Sequence, residues 1–475
     1  MLSFDYQNKS VLLALGLATS TLIAYLTVNF GFFAPMVAMT LAAVAVFLVI
    51  VFKNPIIGLI TTLIYCFVIG FLARELPAGI PFGYLVEGLY AVVWAAIIFK
   101  TQKGNWSRIN NDLCLLFVLW FIISILQLMN PNASARGWLS EVRSSGLDSF
   151  LLIPAGFLIF RNNKHLNIFL GVILFFSLVA TLNGMKQLHI GLFPGEQAFL
   201  AANPTHMIWG QLRVFSFYRD AGQFGASQAH LSLIAGILAL GPFKIWKRLV
   251  FLSLSVLLFY GMLISGTRGS FFVLIPGALL AIFLFKNAKI LILGLLSLIS
   301  FVAVLKYTYI GSGFSYVHRL RTALNPEDAS LNARFDTQEI LTEYLKDYPF
   351  GGGLGTLGYA GEQYNPGTFL STIPPDSYWV KVWAMYGIVG FTFWFCMMMY
   401  ILGKCCGIVW NIKDEKLRIK LIALTAGFCG IFVSSYGNEV INTLPSSVIV
   451  YLSLALIFMG PELDKRQMNK QELTT

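Results

Sequence analysis

Long apolar runs, separated by short polar connections, fill almost the whole chain. They fall near residues 11–28, 33–52, 55–73, 81–99, 113–129, 147–160, 166–186, 226–241, 249–265, 270–285, 290–305, 378–403, 417–435 and 443–460. A helix needs about 20 predominantly apolar residues to cross a bilayer. The pattern therefore predicts an all-α polytopic integral membrane protein with about 14 transmembrane helices. The run at 147–160 is the shortest and contains Pro154. The first run extends to Val28 with no small-residue cleavage site after it, so it reads as an uncleaved span and not as a signal peptide.

Two connections break the rhythm: Gln187–Gly225, and the longest polar interval, Lys306–Tyr378. They divide the chain into membrane helices at 1–186, a first loop at 187–225, further helices at 226–305, a large loop at 306–377, and terminal helices with a tail at 378–475. Basic residues orient this arrangement. With the amino terminus in the cytoplasm, alternation puts 20 of the 33 Lys and Arg residues on the inner side, and every short loop obeys the positive-inside rule. Both termini then lie inside and both long loops outside. The inner set holds 15 Lys and 5 Arg. The outer set holds 4 Lys and 9 Arg: Arg74, Arg136, Arg143, Arg213, Arg219, Arg268, Arg319, Arg321 and Arg334. Topology gives no reason to prefer Arg outside. Guanidinium is the better group for bidentate binding of phosphate or carboxylate, although snorkelling, or pairing with Asp220, Asp336 and Glu339, would also account for it.

Composition narrows the functional classes. The chain has 475 residues, 57% hydrophobic and 12% charged, against about 25% charged in soluble domains. The net charge of +11 belongs to topology, and no basic stripe interleaved with aromatics suggests nucleic acid. The six Cys lie in or beside apolar runs and the five His are scattered, so neither a disulfide framework nor a zinc-type spacing is present.

The candidate chemistry is in the outer segments. Arg213 and Arg219 flank a turn rich in Gly and aromatic residues that ends at Gly225; they either hold an anionic headgroup or include a local Arg219–Asp220 pair. Ser265-Gly266-Thr267-Arg268-Gly269-Ser270 joins two apolar runs with almost no loop. An Arg there sits at the membrane boundary, where desolvation is costly without a partner, and the small residues let backbone approach a ligand. The stretch Ser330–Asp347 reads as a helix capped by Ser330 or Asn332 and stopped by Pro349, with an inward stripe of Phe335, Leu341, Tyr344, Leu345 and Tyr348. Arg334 falls in its first turn, where a cation opposes the helix dipole. Gly351–Gly355 lacks the strand and the Lys-Ser/Thr of a phosphate loop and reads as a flexible turn. Asp376 opens the next span, as an N-cap or as a base acting on a hydroxyl. Glu87, inside a span, reads as an interhelical hydrogen-bonding group.

These pieces resemble the O-antigen polymerase/O-antigen ligase superfamily of bacterial envelope glycosyltransferases. Ser265–Gly269 is similar to its Ser-x-Ser/Thr-Arg-Gly hairpin, and Arg334 through Gly355 to its Arg-helix-Pro-x-x-Gly-x-Gly pattern. Asp376-Ser377, nine residues, then Gly387-x-x-Gly390 is similar to the ligase signature His-Asn/Ser/Gln-x9-Gly-x-x-Gly. The resemblance covers roughly 205–400. It departs at Asp376, where the ligases carry a functional His and polymerases often carry Asp. The resemblance thus implies a polymerase of undecaprenyl-diphosphate-linked repeat units in the bacterial inner membrane, acting at the periplasmic face without metal or other cofactor. It implies Asp376, Arg268 and Arg334 as catalytic residues, and Arg213, Arg219, Arg268 and Arg334 as diphosphate ligands. Its partners would be the lipid-linked oligosaccharides, membrane lipid, a chain-length regulator and a flippase, with no nucleic acid. The alternatives are transfer of finished glycan to lipid A–core, a transporter or flippase of lipid-linked sugar, and a structural scaffold that would leave the outer Arg bias unexplained.

Overall fold

The computed structural model describes residues 8–31, 33–77, 79–100, 103–208, 210–311, 313, 315–322, 329–374 and 377–472. The first helices are α1 (Asn8–Phe30), α2 (Phe33–Lys53), α3 (Pro55–Glu75), α4 (Phe82–Lys100) and α5 (Asp112–Leu126). The side chain of Asn111 accepts from Cys114 N at 3.0 Å and starts α5. Next, α6 (Ala135–Val142) runs through a π turn at Arg143–Leu147 into α7 (Asp148–Ile159). Residues Ala135–Ile159 thus make one span of 25 residues. The short run at 147–160 is the apolar end of this longer element.

The chain continues through α8 (Asn163–His189) and α9 (Pro194–Ala202). A small hairpin of β1 (Met207–Ile208) and β2 (Gln211–Leu212) follows, with Met207 opposite Leu212 and Ile208 opposite Gln211. Then come α10 (Ala221–Ala239), α11 (Ile245–Ile264), α12 (Phe271–Leu284) and α13 (Ala288–Tyr307). The long interval holds α14 (Ser315–Thr322), α15 (Ala329–Leu345) and α16 (Gly358–Tyr364). The chain ends in α17 (Tyr378–Asn411), α18 (Glu415–Ser434), α19 (Ser446–Phe458) and α20 (Gly460–Glu472).

Among the described residues ten helices are long and apolar enough to cross a membrane, or eleven if the pair bent by 50° at α19–α20 is one span. Two of the apolar runs fall outside this number for physical reasons: helix α12 is 14 residues long, and helix α10 carries Gln223, Gln228 and His230 within its length. Helix α10 is enclosed by α8, α11, α12 and α18, and Thr181 Oγ1 donates to Gln228 Oε1 at 2.9 Å. A helix buried on every side is solvated by its neighbours and tolerates such groups where lipid would not.

The two ends of the bundle sort as alternation requires. At one end, Arg108 pairs with Glu462 at 2.8 Å, Arg466 donates to Arg161 O at 2.7 Å, and Lys100 reaches Lys53 O. The Arg-rich connections meet at the other end, where Arg74 donates to Tyr218 O at 2.6 Å.

The long interval is tied to the helices beneath it. Leu341 and Leu345 of α15 pack with Leu357, Leu370, Ile373 and Ala384, flanked by Tyr344 and Tyr348. Phe335, expected in that stripe, is exposed. Asn332 and Arg334 lie inside the described part of α15, and the side chain of Ser330, the other expected cap, lies outside the described residues.

The glycine run is not a flexible turn. Gly351–Gly355 are buried. Gly352 N donates to Ala384 O at 2.9 Å, Gly353 N to Met385 O at 3.0 Å, and Val389 N to Pro349 O at 3.2 Å. The segment pairs with a break in α17 at Gly387, where φ is 68°. A Cβ on Gly387 would lie 2.1 Å from Pro349 O, and one on Gly351 would lie 2.4 Å from Gly387 N. Two glycines facing each other let backbone meet backbone and satisfy the groups freed where the helix breaks.

Candidate active site

The Ser265–Ser270 turn is the hub. Gly266 has φ of 58°, and a Cβ there would lie 3.5 Å from Arg319 Nη1 and 3.6 Å from Arg213 Cγ. Arg213 donates through Nη2 to Thr267 Oγ1 at 3.2 Å and through Nη1 to Thr205 O at 3.1 Å. Thr267 Oγ1 in turn donates to Ala221 O at 3.0 Å, which joins the turn to the start of α10.

The other side of the turn meets the connection between α18 and α19. Ser434 Oγ donates to Gly269 O at 3.0 Å, and a Cβ on Gly269 would lie 2.1 Å from Asn438 Nδ2. Arg334 reaches the same connection from α15, donating through Nη2 to Gly437 O at 3.0 Å.

Arg213, Arg268, Arg319 and Arg334 therefore converge from four separate chain segments, and all four are partly buried. Their charges act on one another. Burial lowers the affinity of Arg213 for its proton, with Asp220 opposing the shift and Arg268 adding to it. Burial, Arg213 and Arg268 together bring Arg319 down to about 10. Burial likewise lowers the affinity of Arg268 for its proton, and Arg334 adds to the shift. Like charges held this close in a partly desolvated place cost free energy that a bound anion would recover.

Arg219 does not join them. It lines a neighbouring open cavity of about 930 Å³ with Arg74, Glu141, Arg143, Lys381 and Glu439. Lys381 Nζ is 2.9 Å from Glu141 Oε1 and 3.3 Å from Glu439 Oε1. Arg143 Nε is 2.5 Å from Glu87 Oε1, so Glu87 is the interhelical partner expected of it. Asp220 caps α10, its Oδ1 accepting from Gln223 N at 2.9 Å. Burial raises the affinity of Glu439 for a proton, opposed by Lys381 and Arg219 and reinforced by Glu141.

Asp376 lies outside the described residues. The side chain of Ser377 caps α17 by accepting from Val380 N at 3.3 Å. Tyr378 N donates to Ser435 O at 2.9 Å, so α17 starts beside the connection that carries Gly437, Asn438 and Glu439. Among the described residues no three His, Cys, Asp or Glu side chains gather as a metal site.

Residues 253–395 match the family model described as O-antigen ligase. Through this segment the chain is similar to the O-antigen polymerase/ligase superfamily. No curated protein matches the chain. The apolar helices make it a multi-pass membrane protein, and the match supports an enzyme of the O-antigen ligase/polymerase type. The superfamily segment contains Arg268, Arg319, Arg334 and the Gly351–Gly387 junction. Arg213 comes to it from before the segment, and Gly437, Asn438 and Glu439 from after it.

Arg319 was visible in sequence only as one of the nine outer Arg residues. Neither its distance from Arg268 in the chain nor its own neighbours point to the turn. Glu141, Lys381 and Glu439 carried a weaker signal, as ionisable groups at the ends of apolar runs. Their pairing joins residues separated by up to 298 positions (439 − 141).

Proposed function

We propose that the protein polymerises oligosaccharide repeat units carried on undecaprenyl diphosphate, at the periplasmic face of the bacterial inner membrane. The observation that carries this reading is the convergence of Arg213, Arg268, Arg319 and Arg334 at the Ser265–Ser270 turn and the connection beside it. A hydroxyl of the acceptor saccharide attacks the anomeric carbon of the donor. The new glycosidic bond forms as the bond from that carbon to the diphosphate oxygen breaks, and the electron pair leaves with the lipid diphosphate. Negative charge grows on the leaving group, and fixed guanidinium groups around it lower the barrier. The donor is already activated through its lipid, so no nucleotide is needed on that face. Asp376 supplies a carboxylate near the start of α17, and Asp at this position, where ligases carry His, favours polymerisation.

Cells carrying Arg268→Ala or Arg334→Ala, at normal protein levels, are expected to lose long polymer. Removing one such charge-stabilising donor costs about 100- to 1,000-fold in rate. Arg268→Lys rescues poorly, because ammonium does not reproduce a bidentate contact. Normal chain lengths in both Ala variants would overturn the assignment. The matching family model is described as O-antigen ligase, which keeps transfer of glycan to lipid A–core as a second reading. A polymerase mutant leaves a single repeat attached to the core, whereas a ligase mutant accumulates lipid-linked polymer.

A further inference from the structure

The proposed reaction needs a second place, for the acceptor, next to the arginines but electrically unlike them. The cavity of about 930 Å³ has that character. Its walls mix carboxylates (Glu141, Glu439), amides (Gln223, Asn442) and aromatic rings (Tyr84, Tyr359). Hydroxyl-rich ligands are recognised by such acceptors and ring faces. Asn442 is buried, and its Oδ1 has no hydrogen-bond partner among the described residues. Glu439 is held from one side by Lys381, which also holds Glu141. One fifth of its side chain (20%) remains accessible, and it lines the cavity.

Two segments connect this cavity to the arginine cluster. In the connection from α18 to α19, Gly437 O accepts from Arg334, Asn438 packs on Gly269, and Glu439 faces the cavity. In the segment before α10, Arg213 belongs to the cluster while Arg219 lines the cavity. The two sites are thus joined through Gly437, Asn438 and Glu439, which are consecutive in the chain.

We propose that this cavity binds the acceptor saccharide and that Glu439 is the group that accepts the proton of its attacking hydroxyl. The inference rests on the polymerase reading above. As the acceptor oxygen bonds to the anomeric carbon, its proton passes to the Glu439 carboxylate, and the electron pair of the broken bond departs on the diphosphate beside the arginines. Glu439 then returns the proton to solvent through the open cavity. Lys381 positions Glu439. Asp376 orients the substrates and takes no proton.

The test uses the full-length protein in liposomes with lipid-linked repeat units, measuring glycosidic bond formation and donor binding separately. Glu439→Gln keeps the size and polarity of the side chain. It is expected to lower transfer at least 100-fold, the lower end of about 100- to 10,000-fold for general-base catalysis, with donor binding unchanged. Glu439→Asp retains part of the rate. Asn442→Ala raises the acceptor KM severalfold and leaves donor binding unchanged. Should Glu439→Gln fail to fold, Asn442→Ala and Tyr359→Ala carry the test through acceptor KM. Full transfer by Glu439→Gln, or unchanged acceptor KM in both cavity variants, would overturn the inference. If Arg268→Ala and Asp376→Asn are inactive in that case, the polymerase reading survives with the proton on Asp376. If Arg268→Ala is also fully active, the polymerase site itself has failed.

Discussion

At Gly266 the Arg319 guanidinium and the Arg213 Cγ methylene lie at van der Waals distance from where a side chain would begin. A Cβ there only touches them, but the positive φ adds about 1–3 kcal/mol of strain to the turn that holds both arginines. Gly266→Ala is therefore expected to lower the rate of transfer while leaving the rest of the bundle folded, checked by turnover against thermal stability in detergent. Arg319→Ala should behave like Arg268→Ala, losing turnover by about 100-fold or more. Arg321, two residues on, donates to Leu305 O at 3.1 Å, and Arg321→Ala should leave turnover near normal. Sequence alone made Arg268 and Arg334 candidates because each stands where a cation has a local cost: at a membrane boundary, and near the start of a helix. Arg319 has no such local cost. Its role comes from α14 folding back over the turn, which no pattern along the chain encodes.

Protonation of Glu439 belongs to the same scale. Lys381 from α17, Glu141 from α6 and Arg219 from the segment before α10 face it, and burial outweighs the two cations. A base must be deprotonated to act, and the affinity of Glu439 for its proton is raised. Turnover should thus fall on the acid side at a higher pH than an ordinary carboxylate gives. Arg219→Ala removes one cation that opposes the rise and should move this acid limb to still higher pH. A limb that stays in place in Arg219→Ala, with turnover otherwise intact, would separate Glu439 from the proton transfer.

Among the elements, the break in α17 was the least legible. The hydrophobic pattern runs unbroken from 378 to 403, because period and polarity do not register a single residue at φ 68°. The glycine run at 351–355 looked flexible for a related reason. Glycine in sequence signals freedom, but here it signals close approach: Gly355 lies so near Gly137 that a Cβ would sit 2.2 Å from its carbonyl oxygen. The run is a backbone staple between the long interval and the broken helix, and it fixes where α15 and Arg334 sit. Gly387→Ala should destabilise the protein by at least about 1 kcal/mol from φ alone and loosen that staple. The expected readout is a lower unfolding temperature in detergent together with reduced turnover. The helices themselves were legible along their apolar lengths, and α10 keeps its polar residues because they are solvated inside the bundle.

For the whole molecule, alternating apolar runs and the placement of Lys and Arg foretold an α-helical membrane protein with its Arg-rich connections together at one end. That much follows from lipid as a solvent, which leaves few choices. The side on which that end lies has a direct check. In a background lacking the exposed Cys396, Tyr309→Cys should react with a membrane-impermeant maleimide added from the periplasmic side, and Lys465→Cys should not. The opposite pattern would invert the topology. What the sequence could not convey is that the site has two compartments, since they are joined through residues before and after the superfamily segment.

The central claim is that the chain makes glycosidic bonds between lipid-linked saccharides at the arginine cluster. The most direct measurement supplies purified protein in liposomes with a single kind of undecaprenyl-diphosphate-linked repeat unit and resolves the products by length. The account predicts a ladder of lipid-linked oligomers with release of undecaprenyl diphosphate, abolished in Arg268→Ala and Arg334→Ala. Unchanged single repeats, whether moved across the bilayer or joined only once to added lipid A–core, would contradict it.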